Sequence, residues 1–116
     1  MRRLCVSCKK PADSLPEKIL KAYNVPLDHF KGATVLGPGA GCPKCRGTGY
    51  KGRIAIMEVL PMNRDRRADI MKGVGVKEIA AKAHAQGVLS LKDIGLRKVR
   101  DGITSVEEAL GVTGGD

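Results

Sequence analysis

Two C-x-x-C motifs, Cys5-Val6-Ser7-Cys8 and Cys42-Pro43-Lys44-Cys45, with residues 9–41 between them, set the strongest limit on the fold. A C-x-x-C turn brings two sulfurs close together, and two such turns can complete the tetrahedral thiolate shell that Zn²⁺ takes at about 2.3 Å. Four cysteines leave no open position, so the motif points to a structural ion and not a catalytic one. Gly47 and Gly49 let the chain turn tightly after the second pair. Lys9, Lys10, Lys44 and Arg46 flank the pairs and offset the local negative charge.

Other readings of the same cysteines are two disulfides, free core thiols or a redox pair. Met1-Arg2-Arg3 leads into no apolar run, so no secretion signal is expected and the compartment is read as reducing, which disfavours disulfides. A thioredoxin-type motif needs a strand before it and a helix opening at its first cysteine. Cys5 lacks room for that strand, and Cys42 is followed by glycine-rich turn residues. His29 and His84 lie outside both pairs.

A metal staple suits the composition. The chain has 116 residues and only Tyr23, Phe30 and Tyr50 as aromatics, so its core must be aliphatic and small. With 21 Lys and Arg against 12 Asp and Glu, its formal charge of +9 suits an acidic protein face, an anionic membrane surface or nucleic acid, or simply a solvated basic surface. No stretch approaches the roughly 18 apolar residues of a membrane span.

Local signals give an α+β chain. Ser14-Leu15-Pro16-Glu17 reads as a capping box opening a helix that runs to about Tyr23, before Pro26. Residues 33–36 are β-prone, residues 37–41 form a turn, and residues 50–60 read as a strand or hairpin arm. Asn63 caps a helix over 64–72. A second covers 76–86 ahead of Gly87. Ser90 with Asp93 caps a third, ending at Gly102, and Thr104 with Glu107 caps a fourth over 105–110. The expectation is a zinc-stapled β/α subdomain over residues 1–62 and a compact four-helix bundle over residues 63–116, with Gly114-Gly115-Asp116 as a frayed tail.

Catalytic machinery is not expected in this chain. Residues 37–41 are glycine-rich but lack the Lys and Ser/Thr of a phosphate-binding loop. Asp65 and Asp69, among Arg64, Arg66 and Arg67, read as a solvated, salt-bridged face.

The order Arg2-Arg3-Leu4-Cys5-x-x-Cys8-Lys9, then Cys42-x-x-Cys45-x-Gly47-Thr48-Gly49-Tyr50-x-Gly52-Arg53, resembles the C-terminal part of the assembly ATPases of type II secretion and type IV pili, the GspE/PulE/PilB family. Glu58-Val59-Leu60, Gly87, Leu96-x-Lys98-Val99, Gly102-Ile103-Thr104-Ser105, Glu107-Glu108 and Val112-Thr113 extend the likeness along the chain. Ala55 and Met57 depart from it, standing where the family usually has Gly and an aromatic. The resemblance implies a hexameric cytoplasmic motor at the bacterial inner membrane whose tetracysteine insert holds zinc. Its ATP and Mg²⁺ would sit on a RecA-like domain upstream, which makes Met1 the start of a fragment. The implied partners are that domain, neighbouring subunits and an inner-membrane platform protein. Lys44, Arg46, Lys51 and Arg53 are candidate partner-binding residues, toward acidic protein or anionic phospholipid. The resemblance does not separate secretion, pilus and competence systems.

Two further readings differ in class. Residues 76–101 could form a helix-turn-helix with Arg97, Lys98 and Arg100 on its second helix, making a nucleic-acid module. Stacking aromatics for single strands are scarce, however. Cys42-x-x-Cys45-x-Gly47-x-Gly49 also resembles one repeat of the DnaJ zinc region, but that family carries four such repeats.

Overall fold

Short apolar runs interrupted by Gly and Pro leave little length for any strand, and the computed structural model, which describes residues 1–114, holds two minimal ribbons. Strand β1 (Arg2–Leu4) pairs antiparallel with β4 (Tyr50–Arg53), placing Arg2 opposite Arg53 and Leu4 opposite Tyr50. Strand β2 (Lys10–Pro11) pairs antiparallel with β3 (Leu36–Gly37). Helix α1 (Glu17–Ala22) and a 3-10 turn (Leu27–Phe30) lie between β2 and β3. Four helices follow: α2 (Arg64–Met71), α3 (Val76–Ala85), α4 (Leu91–Arg100) and α5 (Val106–Thr113). This is the expected α+β arrangement, with the four cysteines in the strand-bearing part. Gly115 and Asp116, from the tail read as frayed, lie outside the described residues.

The buried cluster is aliphatic apart from Phe30. It draws Leu20, Val25 and Phe30 from the first third of the chain and Leu96, Val99, Val106, Ala109 and Leu110 from α4 and α5. The core thus spans both sides of residue 63. Helices α2 and α3 contribute nothing to it; α2 buries only Arg66 and α3 only Ala83. They are held to each other by polar contacts, including Lys82 to Asp69 at 3.3 Å, and the molecule is long, 55 × 27 × 22 Å.

Several local expectations are corrected. The Ser14 box does not form: Pro16 is the N-cap of α1, and no side chain caps it. The strand expected over residues 50–60 stops at Arg53. One further backbone pair follows it, Met1 with Ile54, which exchange bonds at 3.0 and 2.9 Å. Ser105, and not Thr104, caps the last helix, accepting from the N–H of Glu108 at 3.2 Å. Thr104 is buried and donates to the carbonyl of Arg2 at 2.9 Å. Arg66 is not on a solvated face; it donates to the carbonyl of Pro61 and, at 2.9 Å, to Oε1 of Gln86.

Candidate metal centre

Two turns build the site. Cys5 follows directly on β1, and its N–H donates to the carbonyl of Gly49 at 2.9 Å, which sets the first turn against the second. The chain then folds over, so that the N–H groups of Cys8 and Lys9 both donate to the carbonyl of Cys5. In the second turn the N–H of Gly47 donates to the carbonyl of Cys42 at 3.2 Å, with Arg46 (φ 57°) and Gly47 (φ 78°) in the left-handed region. Two glycines are there because nothing larger fits. A Cβ on Gly39 would lie 2.0 Å from the carbonyl oxygen of Cys8. Gly49 has φ +79°, and a Cβ there would lie 2.6 Å from Cβ of Pro38.

The four sulfurs converge. Sγ of Cys5 is 3.7 Å from that of Cys42, Cys8 is 3.8 Å from Cys45, and Cys42 is 3.7 Å from Cys45. All four lie within 4.8 Å of one another. A tetrahedron with metal–sulfur bonds of about 2.3 Å has edges of about 3.8 Å, so the donor set fits a four-coordinate metal ion. A disulfide needs sulfurs about 2.05 Å apart. Cys5 and Cys45 are buried, while Cys8 and Cys42 are half-buried.

The protein treats these sulfurs unequally. Burial pushes the Cys45 thiol up, but the N–H groups of Cys42 and Gly49, donating to Sγ at 3.3 and 3.2 Å, outweigh it together with the neighbouring thiols and bring it down to about 6. Cys5 is lowered in the same way, burial being overcome by backbone donors at Ser7 and Cys8 and by the Cys42 thiol. At Cys8, burial and the neighbouring thiols push up to about 12. Backbone donors aimed at sulfur are the usual support of a metal-bound thiolate.

A family model described as "Type II/IV secretion system protein" matches residues 1–111. The chain belongs to this family. It is 39% identical over 115 residues to the type IV pilus assembly ATPase PilB of Myxococcus xanthus, covering 99% of this chain and 20% of that protein. It is 39% identical over 113 residues to PilB of Thermus thermophilus, covering 97% and 12%. It is 37% identical over 116 residues to the type II secretion system ATPase E of Vibrio cholerae, covering 97% and 22%. The chain therefore spans about a fifth or less of these relatives' length.

The contacts that tie the site to the rest of this secretion-family chain account for several residues of the motif. The N–H of Leu4 donates to the carbonyl of Ile103 at 2.8 Å, and Nζ of Lys9 donates to the carbonyl of Gly102 at 2.9 Å. The Tyr50 hydroxyl meets Oγ of Ser105 at 2.7 Å. Arg2 donates through Nε and Nη2 to Oε2 of Glu108 at 3.1 and 2.9 Å, and through its backbone N–H to Oε1 at 2.9 Å. Its guanidinium lies 4.2 Å from the Tyr50 ring centroid. The cysteine turns are thereby stitched to the loop between α4 and α5. Sequence reasoning saw the residue types but not these pairings, because the partners lie as far as 106 positions apart.

Lys44, Arg46, Lys51 and Arg53 are all exposed, and none makes an ion pair among the described residues. Lys44 and Arg46 ride on the second turn, Lys51 and Arg53 on β4. His84 stands away from the cluster and meets Glu58 at 2.9 Å. No helix of the described residues is long and apolar enough to cross a membrane.

Proposed function

We propose that this chain is the zinc-stabilised structural and protein-interaction module of a secretion or pilus assembly ATPase, and that it has no nucleotide site of its own. The observation that carries the reading is the sulfur tetrahedron, stitched through β1 to the Gly102–Ser105 loop. Cys5, Cys8, Cys42 and Cys45 are the ligands. A closed all-thiolate shell in tetrahedral array suits Zn²⁺ and suits Mg²⁺ or Ca²⁺ poorly, since those ions take oxygen donors. The ion's role is to hold two turns together.

By analogy with the relatives named ATPases, hydrolysis of ATP with Mg²⁺ belongs to a RecA-like domain elsewhere in a longer, hexameric protein. The module packs on that domain or on a neighbouring subunit, at the cytoplasmic face of the bacterial inner membrane. Lys44, Arg46, Lys51 and Arg53 meet an acidic platform protein or anionic phospholipid there, consistent with their exposure and lack of ion pairs.

Elemental analysis of protein expressed without added metal should give about one zinc per chain. A value near zero from a well-folded chain that also survives chelator would sink the structural role. No ATP turnover is expected from this chain alone; sustained hydrolysis would show a nucleotide site that this reading omits. Charge reversal at the four basic positions should weaken platform or vesicle binding.

A further inference from the structure

Thiolates that can hold a metal are also reducing groups, and the four in this cluster differ in how far solvent reaches them. Cys8 and Cys42 are half-buried, Cys5 and Cys45 buried. Each reachable sulfur faces a buried one across the two turns. Sγ of Cys42 is 3.7 Å from that of Cys5, and Sγ of Cys8 is 3.8 Å from that of Cys45. Each pair has only to close by about 1.7 Å to reach the length of a disulfide bond. The Cys45 sulfur is further occupied by the N–H groups of Cys42 and Gly49, so an oxidant entering from solvent meets Cys8 or Cys42 first. Backbone contacts keep the turns adjacent whatever the sulfurs hold. The N–H of Cys5 donates to the carbonyl of Gly49, and Leu4 lies opposite Tyr50 in the β1–β4 ribbon.

We propose that the cluster is an oxidation site with a second covalent state, in which peroxide replaces the bound ion by two disulfides across the turns, Cys5 to Cys42 and Cys8 to Cys45. This rests on the reading above that the four cysteines hold zinc. The Cys42 thiolate gives an electron pair to one oxygen of hydrogen peroxide. The O–O bond breaks, hydroxide leaves, and Cys42 becomes a sulfenic acid. The Cys5 thiolate then attacks that sulfur, the S–O bond breaks, and a second hydroxide leaves as the disulfide forms. Two solvent protons turn the hydroxides into water. The two sulfurs together lose two electrons, and the peroxide gains them. A second peroxide does the same at Cys8, with Cys45 as the attacking thiolate. The ion departs because its donors are consumed. Cys42 also lies 3.7 Å from Cys45 in its own turn. The cross-turn pairing is favoured because it joins two pairs that are both already in contact, and uses all four sulfurs.

The exchange keeps the staple and changes the charge. Four thiolates with one Zn²⁺ leave a local charge of −2, and two disulfides leave none. Lys44 and Arg46, exposed on the second turn, lose that counter-charge on oxidation, so the basic face grows more positive. In a reducing compartment the thiolate form is the resting one, and a dithiol reverses the change by exchange.

The test starts from the reduced, zinc-loaded chain, its metal content measured first. Hydrogen peroxide should release about one zinc per chain, followed with a chromogenic chelator, for about two peroxides consumed. Peptide mapping without reductant should show Cys5 joined to Cys42 and Cys8 joined to Cys45. Dithiothreitol with zinc should then restore the starting state. The double variant Cys8→Ser, Cys45→Ser should still form the bond from Cys5 to Cys42; mapping of the unaltered chain decides the matter if that variant does not fold. Zinc retained through about a hundredfold excess of peroxide, disulfides within a turn or between chains, or sulfinic acid as the main product overturns the proposal. A chain without zinc at the outset that forms both cross-turn disulfides removes the metal reading and keeps the sulfur pairing. A zinc-loaded chain that resists peroxide does the reverse.

Discussion

Cys45 and Cys8 share one sulfur shell yet are shifted in opposite directions: burial pushes both thiols up and the neighbouring thiols add to it at Cys8, whereas at Cys45 the N–H groups of Cys42 and Gly49, with the neighbouring thiols, outweigh it. Cys45, brought down to about 6, is the readier thiolate, while Cys8, pushed up to about 12, keeps its proton through the neutral range unless a metal displaces it. The sign follows directly. Protons compete with the metal, so affinity falls as pH falls, and it falls by one further proton below about 6, where Cys45 must also be deprotonated. Zinc competition titrations against a chromogenic chelator between pH 5 and 8 should show that steepening. A slope unchanged across pH 6 would contradict it. Gly49→Ala strikes the same site through the backbone, forcing φ +79° and a contact with Pro38; it should cost about 1–2 kcal/mol in backbone strain alone and weaken zinc retention. The cysteine set was legible at this scale because C-x-x-C spacing is local. Arg66 was not: nothing in a run of Arg and Asp says which arginine turns inward to Pro61 and Gln86.

Helix boundaries were readable where a cap and its acceptor lie three residues apart. Asn63 accepts from the N–H of Arg66 at 2.9 Å, and Ser90 with Asp93 forms a reciprocal box. Ser90→Ala should destabilise the whole molecule by about 1 kcal/mol, since α4 lies in the core, measured as a lower urea midpoint at unchanged m. Asn63→Ala should instead fray α2 with little change in that midpoint, as α2 adds nothing to the core. The misread caps have tertiary causes. Thr104 outscores Ser105 on no local rule, but its hydroxyl is taken by the carbonyl of Arg2, leaving Ser105 to cap. Tyr50–Leu60 has the composition of a long strand, but strand length is set by backbone pairing, and past Ile54 the segment has no backbone partner among the described residues.

The described residues form one apolar centre and one polar outlier. Leu110 is fully buried where α1, α4 and α5 meet, and Leu110→Ala should cost about 3 kcal/mol, read by chemical unfolding. The α2–α3 pair, held by Arg66, Lys82–Asp69 and His84–Glu58, should exchange its amides through openings of lower free energy than those of α4 and α5. Equal protection across all four helices would contradict this. The aliphatic character of the core was foreseeable from the scarcity of aromatics. Its membership was not, since helical periodicity marks an apolar face without saying which other face it meets.

The stitching of β1 also bears on how the chain comes to be folded. Arg2 and Leu4 find their partners at Glu108, Thr104 and Ile103, near the opposite end of the sequence. Such distant pairings are slow to close, and during synthesis they cannot form until α5 has left the ribosome. Strand β1 is therefore secured long after it is made. Until then it is a short exposed ribbon carrying two free thiols, and early capture of the ion by the nearer second turn, some 37 residues away, would shelter it.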